Sequence, residues 1–280
     1  MRKFAKKVAA ITGAGSGIGR ALALQLAEEG SLLALADVNH LALEETVEMC
    51  RAKGARVSGK RVDVSDREAV YAWANAVVAE FGAVHMIFNN AGVALGATVD
   101  AMEYADFEWL MGVNFWGVVY GTKAFLPHIK HAGEGHIINV SSIFGLVGIP
   151  TQSAYNAAKF AVRGFTESLR EELEIEGLEI GVTCVHPGGI KTNIAKAART
   201  TTTKGMIDAK SAAGFERAFI TTAESAASTI LDGVRRNARR VLIGPDAYAV
   251  DWMQRLLPTS YQKLIVLGGK FRRRGMMREA

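Results

Sequence analysis

Thr12-Gly13-Ala14-Gly15-Ser16-Gly17-Ile18-Gly19 follows the apolar run 7–12 and opens a stretch of helical period, 17–29. Glycines at such a strand-to-helix turn let backbone approach an anion at the helix N-terminus, where unpaired N–H groups and the macrodipole favour negative charge. Gly13, Ser16, Gly17, Ile18 and Gly19 are therefore candidate holders of a pyrophosphate. The spacing GxGxxG is absent in every register, because Ile18, Arg20 and Leu22 stand where its third glycine belongs. What is present is TGxxxGxG, another form of the same turn. Asp37 ends the next apolar run, 18 residues after Gly19. A carboxylate there accepts hydrogen bonds from the adenosine ribose and repels a 2'-phosphate, which favours NAD over NADP. None of Ala14, Gly15, Ser16 and Val38 is a cation that could receive that phosphate. Asp63 and Val64 end a third run. They either flank the adenine or, as Asp63-Val64-Ser65-Asp66, end a strand and cap the following helix.

Outward from this start, apolar runs at 7–12, 31–37, 56–63, 85–89, 135–141, 179–186 and 240–244 alternate with helical segments at 17–29, 41–53, 67–81, 104–129, 153–176 and 223–237. Near-continuous apolar strands separated by helices predict an α/β fold: a Rossmann-type, doubly wound, seven-stranded, mostly parallel sheet with helices on both faces. It forms a single catalytic domain, 1–245, followed by an extension, 246–280. The segment 193–222 breaks the rhythm and is expected to overhang the carboxyl ends of the strands, where such sheets bind ligands.

Composition removes several classes. An apolar fraction of 49% with 22% charged residues is globular and rules out a disordered chain. The net charge of +5 is concentrated at the end: Lys270, Arg272, Arg273, Arg274 and Arg278 against Glu279 leave the body nearly neutral. Without interleaved aromatic residues, that tail is thin support for nucleic-acid binding. Cys50 and Cys184 have no CxxC or nearby histidine spacing, so neither a disulfide framework nor a metal site is expected, and a reducing, cytoplasmic location fits. The basic N-terminus runs straight into the glycine cluster without a signal-peptide core, and no apolar stretch is long enough to span a membrane.

Tyr155 and Lys159 lie four apart on a predicted helix and share a face. A cation about 4 Å from the phenol, at an effective dielectric of about 20, would lower its pKa by roughly 3 units before desolvation is counted. Such a phenol exchanges a proton with a carbonyl or alcohol oxygen. Ser142 ends the apolar run 135–141 at the same sheet edge as the glycine loop, where its hydroxyl can hold the reacting oxygen. GxSxG is absent, and no histidine or acid is spaced to make this serine a nucleophile.

In these motifs the sequence resembles the classical short-chain dehydrogenases/reductases, from Lys6 to about Gly244. The matches are TGAGSGIG, Asn89-Asn90-Ala91-Gly92, Asn114, Ser142, Tyr155 with Lys159, and Pro187-Gly188 with Thr192. The resemblance implies that Asn114 orders a water relay to Lys159 and that Lys159 also bonds the nicotinamide ribose. It implies that Ile190 and Thr192 contact the carboxamide, that Asn90, Ala91 and Gly92 support the cofactor pocket with Pro187 and Gly188, and that the chain assembles as a homotetramer. The expected activity is NAD-dependent interconversion of a secondary alcohol and a ketone. The apolar residues Ile143, Phe144, Leu146, Val147, Ile149, Met206, Phe215 and Phe219 suggest a hydrophobic substrate. An acyl-thioester ketone, a small diketone, or a redox sensor that binds NAD without turnover are the rival readings.

In the extension, Tyr248, Trp252 and Leu256 recur at four, with Met253 and Leu257 beside them and the Asp251–Arg255 pair on the polar side. This predicts an amphipathic helix ending before Pro258 and a short second one at 261–267. The apolar stripe is expected to pack on a neighbouring subunit or close the substrate cleft, in preference to resting on an anionic membrane surface.

Overall fold

The computed structural model describes residues 3–192, 198–200 and 220–279. The strands β1 (Val8–Thr12), β2 (Leu32–Asp37), β3 (Val57–Arg61), β4 (Met86–Asn89), β6 (Gly135–Val140), β7 (Ile180–Pro187) and β9 (Arg240–Ile243) form one parallel sheet in the order β3-β2-β1-β4-β6-β7-β9. The chain builds outward from β1 to β3, then restarts on the other side of β1 with β4. That reversal opens a crevice at the carboxyl ends of β1 and β4. The helices are α1 (Gly17–Glu28), α2 (His40–Ala52), α3 (Arg67–Phe81), α4 (Tyr104–Met111), α5 (Gly117–His131), α6 (Ser153–Ile175), α7 (Ala223–Arg235), α8 (Pro245–Leu256) and α9 (Tyr261–Glu279).

Alternate residues of each strand feed opposite faces. Ala9, Ile11, Leu33, Leu35 and Phe88 pack with Leu22 and Leu26 of α1, Leu43 and Val47 of α2, and Ile230 and Val234 of α7. Ala10, Ala34, Ile87, Ile137 and Val182 pack with Trp73 of α3, Phe125 and Ile129 of α5, and Leu169 and Leu173 of α6. Burial on both faces is why the strands read as unbroken apolar runs. Each such large side chain contributes about 1.5–3 kcal/mol, and the edge-on Trp73–Phe125 contact, 5.0 Å between centroids, ties α3 to α5. Local signals fix the helix ends: Asp66 accepts a hydrogen bond from Ala69 N at the start of α3, and Gly82 closes it with φ 80.

Three features depart from the sequence expectation, one being that the second helix of the extension, expected to be short at 261–267, runs on as α9 to Glu279. The segment 104–129 is not one helix, because a π-helical turn at Gly112–Trp116 separates α4 from α5. A two-stranded parallel ladder, β5 (Leu95–Gly96) with β8 (Arg199–Thr200), lies outside the main sheet. Of the stretch 193–222, only 198–200 and 220–222 are described, so Met206, Phe215 and Phe219 lie outside the described residues.

Candidate active site

The glycine loop is fastened from two sides. Thr12 Oγ1 accepts from Asn90 N (3.0 Å) and Ala91 N (3.1 Å) and donates to Phe88 O (3.2 Å), while Asn90 Nδ2 donates to Thr12 O (2.9 Å) and Gly13 O (3.3 Å). Gly13 has φ 65, and a Cβ there would sit 2.9 Å from Ala91 Cα, so only glycine fits both the conformation and the space. On the other side, Gly15 N donates to Asp37 Oδ2 and Asn39 N to Asp37 Oδ1, both at 2.8 Å. A Cβ on Gly17 would lie 3.1 Å from Thr192 Cγ2, so the loop and Thr192 face each other across the crevice. Ser16 and Ile18 stand on this rim, and Gly19 is buried directly against Gly13 O. A backbone cradle closed to side chains, at the N-terminus of α1 and with a carboxylate at its far end, fits a dinucleotide.

The Asp37 end of the crevice holds two cations that sequence spacing does not bring there. Arg20 donates to Gly15 O (2.6 Å), Ala42 O (3.1 Å) and Glu45 (2.9 Å), so its charge is spent on fixing the loop. Exposed Arg61 donates to Val38 O at 3.2 Å, next to Asp37. Asp63 Oδ1 accepts from Ser65 N (2.9 Å) and Ser65 Oγ (2.7 Å), and the cap of α3 is Asp66. Val64 is buried against Gly117 of α5.

Ser142, Tyr155 and Lys159 come together at the carboxyl end of β6. The Ser142 hydroxyl lies close to that of Tyr155 and accepts a hydrogen bond from Phe144 N (3.1 Å), opening the 3₁₀ turn Ile143–Gly145. Lys159 Nζ donates to Val140 O at 2.9 Å and stands 5.6 Å from the centre of the Tyr155 ring. A Cβ on Gly92 would lie 3.8 Å from Lys159 Nζ and 3.3 Å from Asn114 Oδ1, which sets both beside the segment that clamps the glycine loop. Buried Asn114 stands in the π-helical turn and uses both ends of its amide on one residue: Val93 N donates to Oδ1, and Nδ2 donates to Val93 O, each at 2.8 Å.

The ionisation of this group differs from the expectation drawn from helix spacing. Burial pushes the Tyr155 phenol up to about 12, with the Ser142 hydrogen bond pulling the other way. Burial lowers Lys159 to about 8. Spacing suggested a phenol brought down by its lysine. In the fold the ammonium is turned to Val140 O, and desolvation of the phenolate is the larger effect.

Several positioning contacts escaped the sequence reading because they join distant stretches. His186 Nδ1 lies 2.9 Å from Ser142 O. A carbonyl can only accept, so this ring nitrogen carries the proton, and burial lowers the imidazole to about 4. Asn156 donates to Phe144 O (2.7 Å) and Val147 O (2.8 Å) and accepts from Ile149 N (3.0 Å), stapling the loop after Ser142 to α6. Asp246, in the first turn of α8, accepts from Gly189 N at 2.6 Å, and any Cβ on Gly188 would collide with its carboxylate. The turn after Pro187 is also held by Gly188 N to Ile243 O (2.9 Å), and Ile190 bridges to Thr221. Arg199 pairs with Asp106 (3.1 Å), stacks 3.7 Å over Trp109 and, through β8, lines the chain along Leu95–Gly96.

The Tyr155 ring lies against an apolar cluster of Leu95, Leu110, Ala154 and Ala158, with Val93, Met102, Phe107 and Trp109 around it. Phe144 meets the ring edge-on at 5.9 Å. Of the residues expected to line a substrate pocket, Ile143, Phe144 and Ile149 are half-buried, whereas Leu146 and Val147 are buried in the fold.

The sheet, the crevice and the grouped hydroxyls and amine define a protein of the dinucleotide-binding α/β class. The chain belongs to the short-chain dehydrogenase family, an oxidoreductase family with a nicotinamide cofactor; the model of that family, short chain dehydrogenase, matches residues 7–203. It is 53% identical over 269 residues to SadH of Mycobacterium tuberculosis, a match covering 96% of this chain and 97% of that protein. It is 40% identical over 192 residues to a cyclohexanol dehydrogenase of Acinetobacter sp., covering 68% of this chain and 75% of that one. A solved short chain dehydrogenase/reductase from Burkholderia phymatum, in complex with NAD, aligns with a TM-score of 0.84 at 35% identity, covering 91% of this chain and 95% of that chain.

Proposed function

We propose that this protein interconverts a hydrophobic secondary alcohol and its ketone, with NAD as cofactor and Tyr155 as the group that exchanges the proton. The observation that carries this reading is the meeting of Ser142, Tyr155 and Lys159 beside Gly92. With its pKa raised to about 12 by burial, Tyr155 is protonated at neutral pH and has a proton to give to a carbonyl oxygen. Ser142, close to that phenol, turns its one hydroxyl proton to the same oxygen and orients it. Lys159, near 8, is mostly charged at neutral pH and favours the phenolate left after transfer. Bound NAD supplies the hydride exchange with the substrate carbon.

Gly13, Ser16, Gly17, Ile18 and Gly19 hold the pyrophosphate, Asp37 the adenosine ribose, and Asp63 and Val64 the adenine side. Asn90, Ala91, Gly92, Pro187, Gly188, Ile190 and Thr192 serve the nicotinamide end, where Lys159 also bonds the ribose. Because the Asn114 amide is spent on Val93, its part in a water relay falls to its backbone carbonyl within the π-helical turn. Preference for NAD is supported by the Asp37 carboxylate, fixed by two backbone N–H groups where a 2'-phosphate would have to stand.

The apolar surroundings of Tyr155 support a hydrophobic substrate, and the similarity to a cyclohexanol dehydrogenase makes a cyclic secondary alcohol the first to try. Acyl-thioester ketones and small diketones are the competing classes. A tetramer in the cytoplasm completes the reading; both cysteines are free and buried. A panel of secondary alcohols and ketones, run in parallel with NAD and NADP, tests it. Turnover of apolar ketones with NADH ahead of NADPH is expected, and tight NADH binding without turnover of any member would sink the proposal.

A further inference from the structure

The extension carries a surface that the active site does not use. On α8, Tyr248, Trp252 and Leu256 are 54%, 61% and 71% exposed. The opposite side of the same helix turns inward through Asp251, which accepts from Arg240 (2.7 Å) and Arg255 (3.0 Å). On the single chain the stripe is thus the outer face, where a neighbouring subunit or another surface could cover it, and Asp251 anchors the helix to β9 while Arg255 stays exposed. On α9, Leu264 and Leu267 lie three apart along one line of the helix, both about half exposed, and Lys263 and Lys270 run along the adjoining line. The sequence of α9 goes on through Arg272, Arg273, Arg274 and Arg278 against Glu279.

This surface begins at the rim of the candidate active site. Tyr261, which opens α9, is buried, and its hydroxyl accepts from Gly148 N at 3.2 Å, in the loop that follows Ser142. Beyond Tyr261 and half-buried Ile265, residues 262–270 are exposed.

Two kinds of occupant suit exposed apolar side chains, and charge distinguishes them. A second copy whose two-fold axis passed beside α9 would bring Lys263 and Lys270 against the same lysines, cation against cation. Trp116 and Phe160, both exposed, offer subunits a separate apolar face. An anionic lipid surface complements both features: the apolar side chains enter the headgroup boundary, and exposed Lys263 and Lys270 reach the phosphates while their stems stay with the apolar phase. We propose that Tyr248, Trp252 and Leu256 of α8, together with Leu264, Leu267 and the basic residues of α9, dock the protein on an anionic lipid surface. The contact is peripheral, since no described helix is long and apolar enough to cross a membrane. It sets the Ser142 loop close to the lipid boundary, where an apolar substrate would be concentrated.

The test is co-sedimentation of the full-length protein with phosphatidylcholine vesicles, with and without phosphatidylglycerol. Binding to the anionic vesicles is expected to exceed binding to the zwitterionic ones by about tenfold or more, and to fall by a similar factor in about 0.5 M salt. The triple variant Arg272→Gln/Arg273→Gln/Arg274→Gln and the double variant Trp252→Ser/Leu256→Ser should each lose most of the binding. Both should retain wild-type turnover of a water-soluble ketone, which also reports that they fold. Equal partition to both vesicle types, or none to either, overturns the proposal. So does a wild-type oligomer that Trp252→Ser/Leu256→Ser dissociates, because the stripe is then covered by a second copy. Should the variants fail to fold, the lipid and salt dependence of the wild type decides alone.

Discussion

The glycine loop and the extension are held to the same sheet by different means. Around Thr12–Gly19, the loop is held from three other stretches, by Asn90 and Ala91, by Asp37 and by Thr192, and by Arg20 just after it. Among the described residues, three side-chain hydrogen bonds fasten the extension to the rest of the fold: Asp246 with Gly189, Asp251 with Arg240 and Tyr261 with Gly148. A crevice that must hold a ligand in one geometry is fixed many times over, so most single losses there should be felt at the cofactor. A surface that meets a partner needs only to be attached, and single losses there should be small.

The largest effect expected away from the reacting groups comes from acid, which attacks the sheet between the two regions. His136 and His186 are buried and lowered to about 3 and 4 by desolvation, against about 6.5 in an unfolded chain. As the pH falls below about 6.5, the unfolded chain takes up protons that the folded chain refuses. Their contribution is therefore intact above that value and is lost progressively toward pH 4. At pH 5 the two together should cost about 4 kcal/mol, read as a lowered denaturation midpoint. The double variant His136→Gln/His186→Gln should flatten that pH dependence. An unchanged slope would show that other groups dominate.

Asp246 joins the two regions, and Asp246→Ala should weaken NADH binding by about tenfold to a hundredfold, the cost of a lost charged hydrogen bond. Asp246→Asn keeps an acceptor for Gly189 N and should restore most of it. Titration of NADH fluorescence measures both, and equal affinity in all three proteins would detach the extension from the cofactor site. A smaller shift is expected at the adenosine end. Asp37→Ala should raise the use of NADP relative to NAD by about tenfold or less, since Arg61 stands beside Val38 to meet the extra phosphate. Relative kcat/KM for the two cofactors is the readout, and an unchanged ratio would remove Asp37 from cofactor choice. Smallest of all, Tyr261→Phe removes one hydrogen bond, worth about 1 kcal/mol. It should leave NADH affinity unchanged and lower the melting temperature by only a few degrees. A loss of NADH binding would show that the Tyr261 contact, like that of Asp246, reaches the cofactor site.

What could be read from the sequence follows the same division. Strand identity and the glycine turn were legible because double-sided burial and close backbone approach admit few residue types. Tyr155 and Lys159 were legible as a pair because the helix repeat sets them on one face. Their ionisation was not, since it depends on how deeply α6 is buried and on Val140 O, a neighbour that spacing does not reveal. The π-helical turn escaped because one extra residue barely disturbs a period of 3.6 along a long helix; Gly112 and Gly117 at its borders were the available sign. Asp246 and His186 escaped because each acts across dozens of residues, with no local pattern. In α8 the period separated the apolar stripe from the side of Asp251, but the burial of Asp251 was decided by Arg240 on another strand.

The most direct test of the central claim measures ketone reduction and NADH affinity on one preparation of Tyr155→Phe. If the buried, protonated phenol is the proton donor, turnover should fall by about a hundredfold to ten-thousandfold, while the NADH dissociation constant stays close to the wild-type value. Reduction at an undiminished rate would contradict it, and the proton would have to come from another group.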